Sequence, residues 1–305
     1  DTLVDPMDMQ EDAIVTVANI TATFNQFEKI PEMDAYAAST LAQAAERFGA
    51  VDSTTLTKDN ILDIWDGYLA YMVNQRVPRD RIRAKMTPDA YKLLKEAAGI
   101  TRFIDTGTGI RDVDRNVGKL DGVIIEEVPA DIMKDAFDFT EGWTEAEGAK
   151  QINILLFDPL AVAAPVVYDV SMLSAPSAQS KGKYLYYERY YYDVYALNQR
   201  LPGIYANITG TQTIGKVSFT TAQGSSGKTV LNGLESLPNG QAYVAKAGTG
   251  AETVNYGDKL TTGWTIVTDG AELAAASGNT VTVAVVNTTK GNAATAVGTA
   301  LAVVA

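Results

Sequence analysis

The chain has 305 residues, a formal net charge of −12, and no cysteine or histidine. Without these two residue types it can form no Ser-His-Asp or Cys-His nucleophile, no disulfide framework and no Cys/His metal site. The acidic balance also argues against a nucleic-acid reader, which offers Lys and Arg to phosphate. The routes left to an enzyme are carboxylate pairs, lysine bases or an oxygen-ligated cation. We expect no catalytic residues, no cofactor and no bound metal. Because Asp158 and Pro159 interrupt the longest apolar stretch, residues 152–170, we also expect no membrane span.

The composition changes sharply near residue 210. Residues 210–305 hold five lysines and five acidic residues, so the whole net charge of −12 lies before them. Of the 15 tyrosines, only Tyr243 and Tyr256 follow this point. Such a step predicts a domain boundary between residues 1–209 and 210–305.

The first part begins with helical patterns in chain order. Apolar residues at steps of three and four predict a long helix over about residues 10–30, which Pro31 ends or kinks. A second helix is predicted over about 33–48, and a third over about 57–77. The fourth, over 87–99, has a Thr-Pro start and a glycine after its last turn.

Strand patterns follow these helices. Short strands are predicted at 122–128 and 152–157, and a Tyr-rich strand runs over 183–195. Both faces of that strand are aromatic with polar tips, and interfaces readily supply partners for tyrosine hydroxyls. A broad strand beneath a layer of helices is an equally good interpretation of the pattern. The candidate intersubunit contacts are Tyr186, Tyr190 and Tyr192 on one face and Tyr187 and Tyr191 on the other.

Residues 210–305 show an all-β pattern. Alternating segments rich in Val, Thr and Ala are separated by turn residues, for example Pro-Asn-Gly at 238–240 and Ser-Gly-Asn at 277–279. Several short strands at this spacing predict a small immunoglobulin-like sandwich.

Two patterns could suggest chemistry. Residues 222–229 match a relaxed phosphate-loop spelling, but no helix of useful length follows them, so a hairpin turn with an exposed lysine is expected. Glu126 and Glu127 are neighbours on a strand and point to opposite faces, so they cannot act on one bond. The pairs Asp112/Asp114 and Glu145/Glu147 are expected to be solvated loop charges.

Six segments occur in an order that resembles a known family. They are Asp-Pro-Met-Asp-Met-Gln-Glu at 5–11, Ile-Pro-Glu-Met-Asp-Ala-Tyr at 30–36, Leu-Thr-Lys-Asp-Asn-Ile at 56–61, Met-Thr-Pro-Asp-Ala-Tyr-Lys-Leu-Leu at 86–94, the Gly-to-Pro segment 118–129 and the Tyr-rich return 183–205. Over about residues 5–208 the chain resembles the major capsid proteins of tailed bacteriophages, which share the Hong Kong 97-type fold.

The resemblance implies an α+β architecture. A spine helix over about 10–30 would belong to a peripheral domain, residues of about 57–165 would form an axial domain, and return strands would lie over about 166–209. Together they would make a Hong Kong 97-type capsid core of residues 1–209. Residues 210–305 resemble the immunoglobulin-like modules that some phages display on the outer capsid surface.

The function implied is that of a structural subunit rather than an enzyme. Such a subunit self-assembles as hexamers and pentamers into an icosahedral shell that encloses double-stranded DNA without binding it specifically. Assembly in the host bacterial cytoplasm would involve portal, scaffold or maturation protease, and the immunoglobulin-like domain would contact host-surface glycans. The expected location is the virion.

Two other functions remain open at this level. The first is a phage or bacterial surface-binding, adhesin-like protein in which the β-rich end does the binding. The second is a carboxylate-dependent hydrolase, which would need two acidic side chains converging about 5–10 Å apart in a cleft.

Overall fold

The computed structural model describes residues 2–6, 17–97, 103–105, 112–114, 117–140, 142–210 and 212–304. Its first long element, α1, is α-helical over Val17–Phe24, π-helical over Asn25–Lys29 and α-helical again over Ile30–Phe48. The two helices predicted on either side of Pro31 are therefore one continuous helix in the part described, and residues 7–16 lie outside it. Proline has no N–H to bond the preceding turn. The chain accommodates it with a wider turn, in which the N–H of Ile30 bonds the carbonyl of Asn25.

Two shorter helices follow, α2 (Ile61–Asn74) and α3 (Pro88–Glu96). The predicted start of α3 is confirmed: the Thr87 hydroxyl accepts the N–H of Ala90 at 3.4 Å, and Pro88 occupies the first helical position. The predicted stop at Gly99 lies outside the described residues. Both helices bury one apolar face, and α3 has its side-chain cap in addition to this packing.

The strands before residue 210 are β1 (Thr2–Val4), β2 (Val51–Asp52), β3 (Arg83–Met86), β4 (Phe103–Asp105), β5 (Asp112–Asp114), β6 (Lys119–Leu120), β7 (Val123–Glu127), β8 (Phe137–Asp138), β9 (Thr144–Glu145), β10 (Ile152–Phe157), β11 (Val162–Ala163), β12 (Val166–Ser174), β13 (Tyr184–Tyr192), β14 (Tyr195–Ala196) and β15 (Ile204–Ile208). The strand predicted at 152–157 is confirmed as β10, and that at 122–128 as β7.

A six-stranded mixed sheet organises this first part. Its order is β2-β15-β10-β3-β7-β6, with β2 parallel to β15 and β3 parallel to β7. The second half of α1 packs on it with α2 and α3, so all three helices share one apolar cluster with the sheet. Fully buried members include Phe48, Trp65, Leu94 and Ile154.

A smaller sheet of order β1-β13-β12 stands apart from that cluster and packs on the first half of α1. We call this two-layer unit the arm, made of β1, β12, β13 and residues 17–36. The predicted return strands 166–209 therefore divide among three sheets. β12 and β13 belong to the arm, β14 pairs with β11 in a two-stranded sheet, and β15 belongs to the six-stranded sheet.

Residues 212–304 form the β part. Its strands are β16 (Gly215–Lys216), β17 (Thr220–Gln223), β18 (Lys228–Asn232), β19 (Gln241–Gly248), β20 (Thr265–Val267), β21 (Glu272–Ala274), β22 (Thr280–Asn287) and β23 (Ala293–Leu301). A five-stranded sheet, β16-β23-β22-β19-β20, faces a three-stranded sheet, β17-β18-β21, across an apolar cluster. A second cluster covers the other face of the five-stranded sheet. The central strand β22 is consequently buried on both faces, from Val281 to Asn287.

Candidate functional site

The inner face of the Tyr-rich strand β13 contacts α1 of the same chain. The Tyr192 hydroxyl donates to Glu32 at 2.9 Å, and the Tyr192 ring meets Tyr36 edge-on at 5.6 Å. Lys29 pairs with Glu188 and lies 4.3 Å above the Tyr190 ring. Burial, followed by the bond to Glu32, raises the pKa of Tyr192, so this phenol stays protonated throughout the physiological range.

The outer face of β13 carries the other two predicted tyrosines. Tyr187 lies opposite Met172 of β12, and Tyr191 is half-exposed with the Arg189 guanidinium 4.9 Å from its ring centre. The five candidates therefore do not form one site. Tyr190 and Tyr192 contact α1, Tyr186 shares their face and donates to Glu188 at 3.0 Å, and the remaining two point away from α1.

Polar bonds and an ion pair link the two layers of the arm. The large core cluster begins at Ala38 and includes no described arm residue. The contacts between the two layers include Tyr36 donating to Asp193 at 2.8 Å and the ion pair and phenol bonds described above. Among the described apolar side chains of the arm, Val4 and Ala35 are buried. Because that apolar burial is small, we expect packing against another surface to add to the stability of the arm.

The second site is the C-terminal end of α1, where the β part contacts the first part. The last carbonyls of a helix have no partner within the helix. Here three successive carbonyls accept bonds from the β part: Glu46 from the Tyr256 hydroxyl at 2.8 Å, Arg47 from Gln241 Nε2 at 2.6 Å, and Phe48 from Asn287 Nδ2 at 2.8 Å. The β part therefore caps the helix that runs through the arm.

Close packing accompanies these caps. Gly49 ends α1 in the left-handed conformation, at φ +82°, and a Cβ there would lie 2.7 Å from Thr295 Cγ2. Gly240 approaches the Phe48 ring in the same way, since a Cβ would come within 3.1 Å of it. The two glycines allow the two parts to approach each other closely at these positions.

Lys290 lies next to the capped helix end. It lies in the turn Thr288–Lys290, and its Nζ donates to the Tyr205 hydroxyl at 2.8 Å and to the Val51 carbonyl at 3.2 Å. The ammonium lies 4.4 Å from the centre of the Tyr205 ring, a cation–π distance. Burial lowers the pKa of Lys290 to about 8, and the charge of Asp52 offsets only part of that effect.

Sequence reasoning missed this joint between the two parts. The helix predicted over about 33–48 does end at Phe48, but nothing in the local sequence says which side chains bond the carbonyls at its end. Asn287 and Lys290 lie in a stretch, Asn-Thr-Thr-Lys-Gly-Asn, that has the composition of an ordinary exposed hairpin turn.

The phosphate-loop spelling at 222–229 forms the turn between β17 and β18, as predicted. Glu272 already binds the hydrogen-bond donors of this turn. The Glu272 carboxylate accepts the N–H of Ser225 at 2.8 Å and the ammonium of Lys228 at 3.1 Å. Hydrogen bonds from Ser225 hold the pKa of Glu272 near 2, so the turn faces a permanent internal anion. Across the described residues no cluster of acidic side chains suited to a metal ion occurs.

The other acidic pairs are separated. Glu126 pairs with Lys85 at 3.3 Å, and Glu145 pairs with Lys134 at 3.0 Å. The side chains of Asp112 and Asp114 lie outside the description. No helix within the described ranges combines the length and the apolar character that crossing a membrane requires.

Comparisons with known proteins give a fold but no family. No protein-family model and no curated protein matches the chain. The asymmetric unit of the bacteriophage PhiM1 mature capsid is similar in structure, with a TM-score of 0.50, 14% identity, and 69% of this chain and 70% of that chain covered. A structure from Mycobacterium phage Che8 has a TM-score of 0.45 and 16% identity, with 68% of each chain covered. Domains 7, 8 and 9 of the S-layer protein SbsC reach a TM-score of 0.26 over 38% of this chain and 36% of that chain, at 14% identity. The mixed α+β fold of this chain is therefore similar to that of a phage capsid protein.

Proposed function

We propose that the chain is a structural subunit of an icosahedral bacteriophage capsid. Residues 1–209 would form a Hong Kong 97-type core, and residues 210–305 an immunoglobulin-like domain displayed on the outer surface. The subunit performs no catalysis. It assembles with itself into hexamers and pentamers around double-stranded DNA, in the host bacterial cytoplasm, and becomes part of the virion.

The observation that carries this proposal is the fold shared with a mature capsid over 69% of the chain. Two features of the chain agree with it. The arm presents a two-layer unit with polar internal bonds and no described residue in the large core cluster, as expected of a segment that is stabilised by neighbours. The net charge of −12 keeps the wall from binding packaged phosphate, because such binding requires cations.

Electron microscopy and sedimentation of the full chain test the proposal. We expect closed particles of tens of nanometres that sediment far ahead of the 32.6 kDa chain. A uniform species of one chain mass under all assembly conditions would refute a shell subunit. Portal, scaffold and maturation protease are the further partners expected during assembly in the host.

Surface display of the β part is tested separately. An epitope inserted in the exposed turn at Ser277 and Gly278 should bind antibody on intact particles. Antibody access only after disruption of the particles would place the β part inside. Glycan-array binding by intact particles, lost on blocking the displayed epitope, is the expected result for host-surface glycan recognition.

A further inference from the structure

The arm exposes apolar side chains on opposite sides of its two layers. On α1 the positions that contact the sheet are Lys29, Glu32 and Tyr36. The exposed apolar side chains of the same helix are Phe24, Phe27 and Ile30, which are 45%, 61% and 54% exposed. We call these three the helix face.

The outer side of the β1-β13-β12 sheet carries the second set. Leu3 lies opposite Leu185, and Met172 lies opposite Tyr187, so these residues share a side with Tyr191. Leu3, Met172 and Tyr191 are 54%, 56% and 50% exposed. We call this side the sheet face.

The two faces would make up part of a subunit contact. A covered aromatic side chain buries ~150–250 Å² and an aliphatic one less, so each half-exposed side chain leaves on the order of 50–100 Å² accessible. Three such side chains give roughly 150–300 Å² on each face, compared with the ~800 Å² that each partner contributes to a standard interface. Apolar patches of that size occur on ordinary soluble proteins, so the choice of partner rests on the charges beside the faces.

The charges beside the two faces are complementary. Glu28 lies exposed next to Phe27 on the helix face, and Asp34 is exposed on the same helix. Arg189 lies exposed between Tyr187 and Tyr191 on the sheet face. An acidic helix face meeting a basic sheet face places opposite charges around an apolar centre, whereas pairing either face with itself brings like charges together.

We infer that the helix face of one copy of this chain docks on the sheet face of the next copy. Such a contact is heterologous: each copy uses a different face toward each of its two neighbours, so the contact repeats and closes into a ring when the rotation allows. The partner at each face is another copy of this chain. The inference rests on the proposed function, because a shell is built from repeated copies of one subunit. It goes further by assigning the two surfaces and their polarity.

The absence of cysteine in the chain makes cross-linking a direct test. The double variant Phe27→Cys with Met172→Cys places one thiol on each face. After mild oxidation we expect a ladder of two, three and more chain masses on a non-reducing gel, which collapses on reduction. Each single variant should stay at one chain mass, because a thiol on one face then meets no thiol on its neighbour.

A matched control uses two exposed apolar residues of the β part, Ile266→Cys with Leu301→Cys, which are 68% and 70% exposed. This control pair should give no ladder. A second pair, Ile30→Cys with Tyr191→Cys, repeats the test at neighbouring positions in case the first pair disturbs folding. Circular dichroism confirms that each variant is folded.

Every outcome separates the inference from the proposed function. Particles from the unmodified chain without a ladder from either pair would overturn the docking inference and leave the shell function standing. Dimers from Phe27→Cys alone would overturn it in favour of helix faces that meet each other. A ladder without particles would keep the docking inference and refute closure of a shell, and the absence of both would refute both.

Discussion

The clearest energetic prediction concerns Asn287, which caps the end of α1 from the β part. Its side chain is fully buried: Nδ2 donates to the Phe48 carbonyl at 2.8 Å, and Oδ1 accepts from the Thr289 N–H at 2.9 Å and from the Thr289 hydroxyl at 2.6 Å. In the Asn287→Ala variant, water can reach Thr289 because that residue is exposed. It cannot readily reach the carbonyl of Phe48, a residue with no exposed surface.

The expected loss follows from these bonds. A buried polar group left without a partner costs ~1–3 kcal/mol, and the deleted amide leaves a small cavity in addition. We therefore expect Asn287→Ala to lower the free energy of unfolding by about 3 kcal/mol. The matched control is Asn239→Ala, whose side chain is exposed, and its effect should stay within about 0.5 kcal/mol.

Urea unfolding of the full chain, under conditions that prevent assembly, provides the assay. Helical circular dichroism reports the first part, and tryptophan fluorescence reports both parts, since Trp65 and Trp143 precede residue 210 and Trp264 follows it. The two signals should change together in the unmodified chain because the parts cap one another. A loss in Asn287→Ala no larger than that of the control would refute the capping argument.

Three further predictions follow. The pKa of Lys290 falls from 10.5 to about 8 on folding, so the unfolded chain binds more protons between those values and stability should rise with pH across that window, by up to about 3 kcal/mol. Lys290→Met should abolish that rise in pH-dependent unfolding, and an unchanged slope would contradict the assignment. Gly49→Ala should lower the thermal midpoint markedly, because it adds left-handed backbone strain of ~1–2 kcal/mol and a clash with Thr295. The control Gly278→Ala is also at positive φ but lies in open space, so it should show the backbone strain alone. Tyr192→Ser should reduce the protease resistance of the arm in the isolated chain. Tyr191→Ser should leave that resistance intact and reduce the amount of sedimenting particles. Equal behaviour of the two variants would mean that the two faces of β13 do not have distinct roles.

Local signals predicted the elements that depend on local chemistry. The strand 152–157 was found at its predicted bounds because a run of that length, apolar except for Asn153, is typical of a strand in a sheet core. The start of α3 was predicted because its signals are local: Thr87 accepts a backbone N–H of the first turn, and Pro88 occupies the first helical position. Pro31 shows the limit of such signals, since a turn that widens by one residue keeps α1 continuous where the local rule expects a break or kink.

The Tyr-rich strand shows why site residues were harder to predict than elements. Period-two alternation correctly divided the tyrosines of β13 into two faces. It could not say which face an intramolecular helix covers, because Tyr190 and Tyr187 have the same chemistry, and their difference arises from α1, about 160 residues away in sequence. The contacts of Tyr190 and Tyr192 with α1 leave Tyr187 and Tyr191 as the tyrosines of the candidate set that face away from the chain.

The composition change near residue 210 bears on whether the two parts of the chain fold independently. A change in charge and tyrosine content identifies where one type of sequence ends, but it carries no information on whether the two sides fold separately. Removal of residues 211–305 would leave the carbonyls of Arg47 and Phe48 without their side-chain donors and uncover Phe48, which has no exposed surface in the whole chain. The Glu46 carbonyl would keep its bond from the Gly49 N–H. A β part that is only a decoration predicts that a shell can close without it. The capped helix end predicts instead that the truncated chain is first destabilised as a monomer. Failure of that truncation to assemble would therefore be no sign that the β part makes lattice contacts, because the same loss follows from an uncapped helix alone.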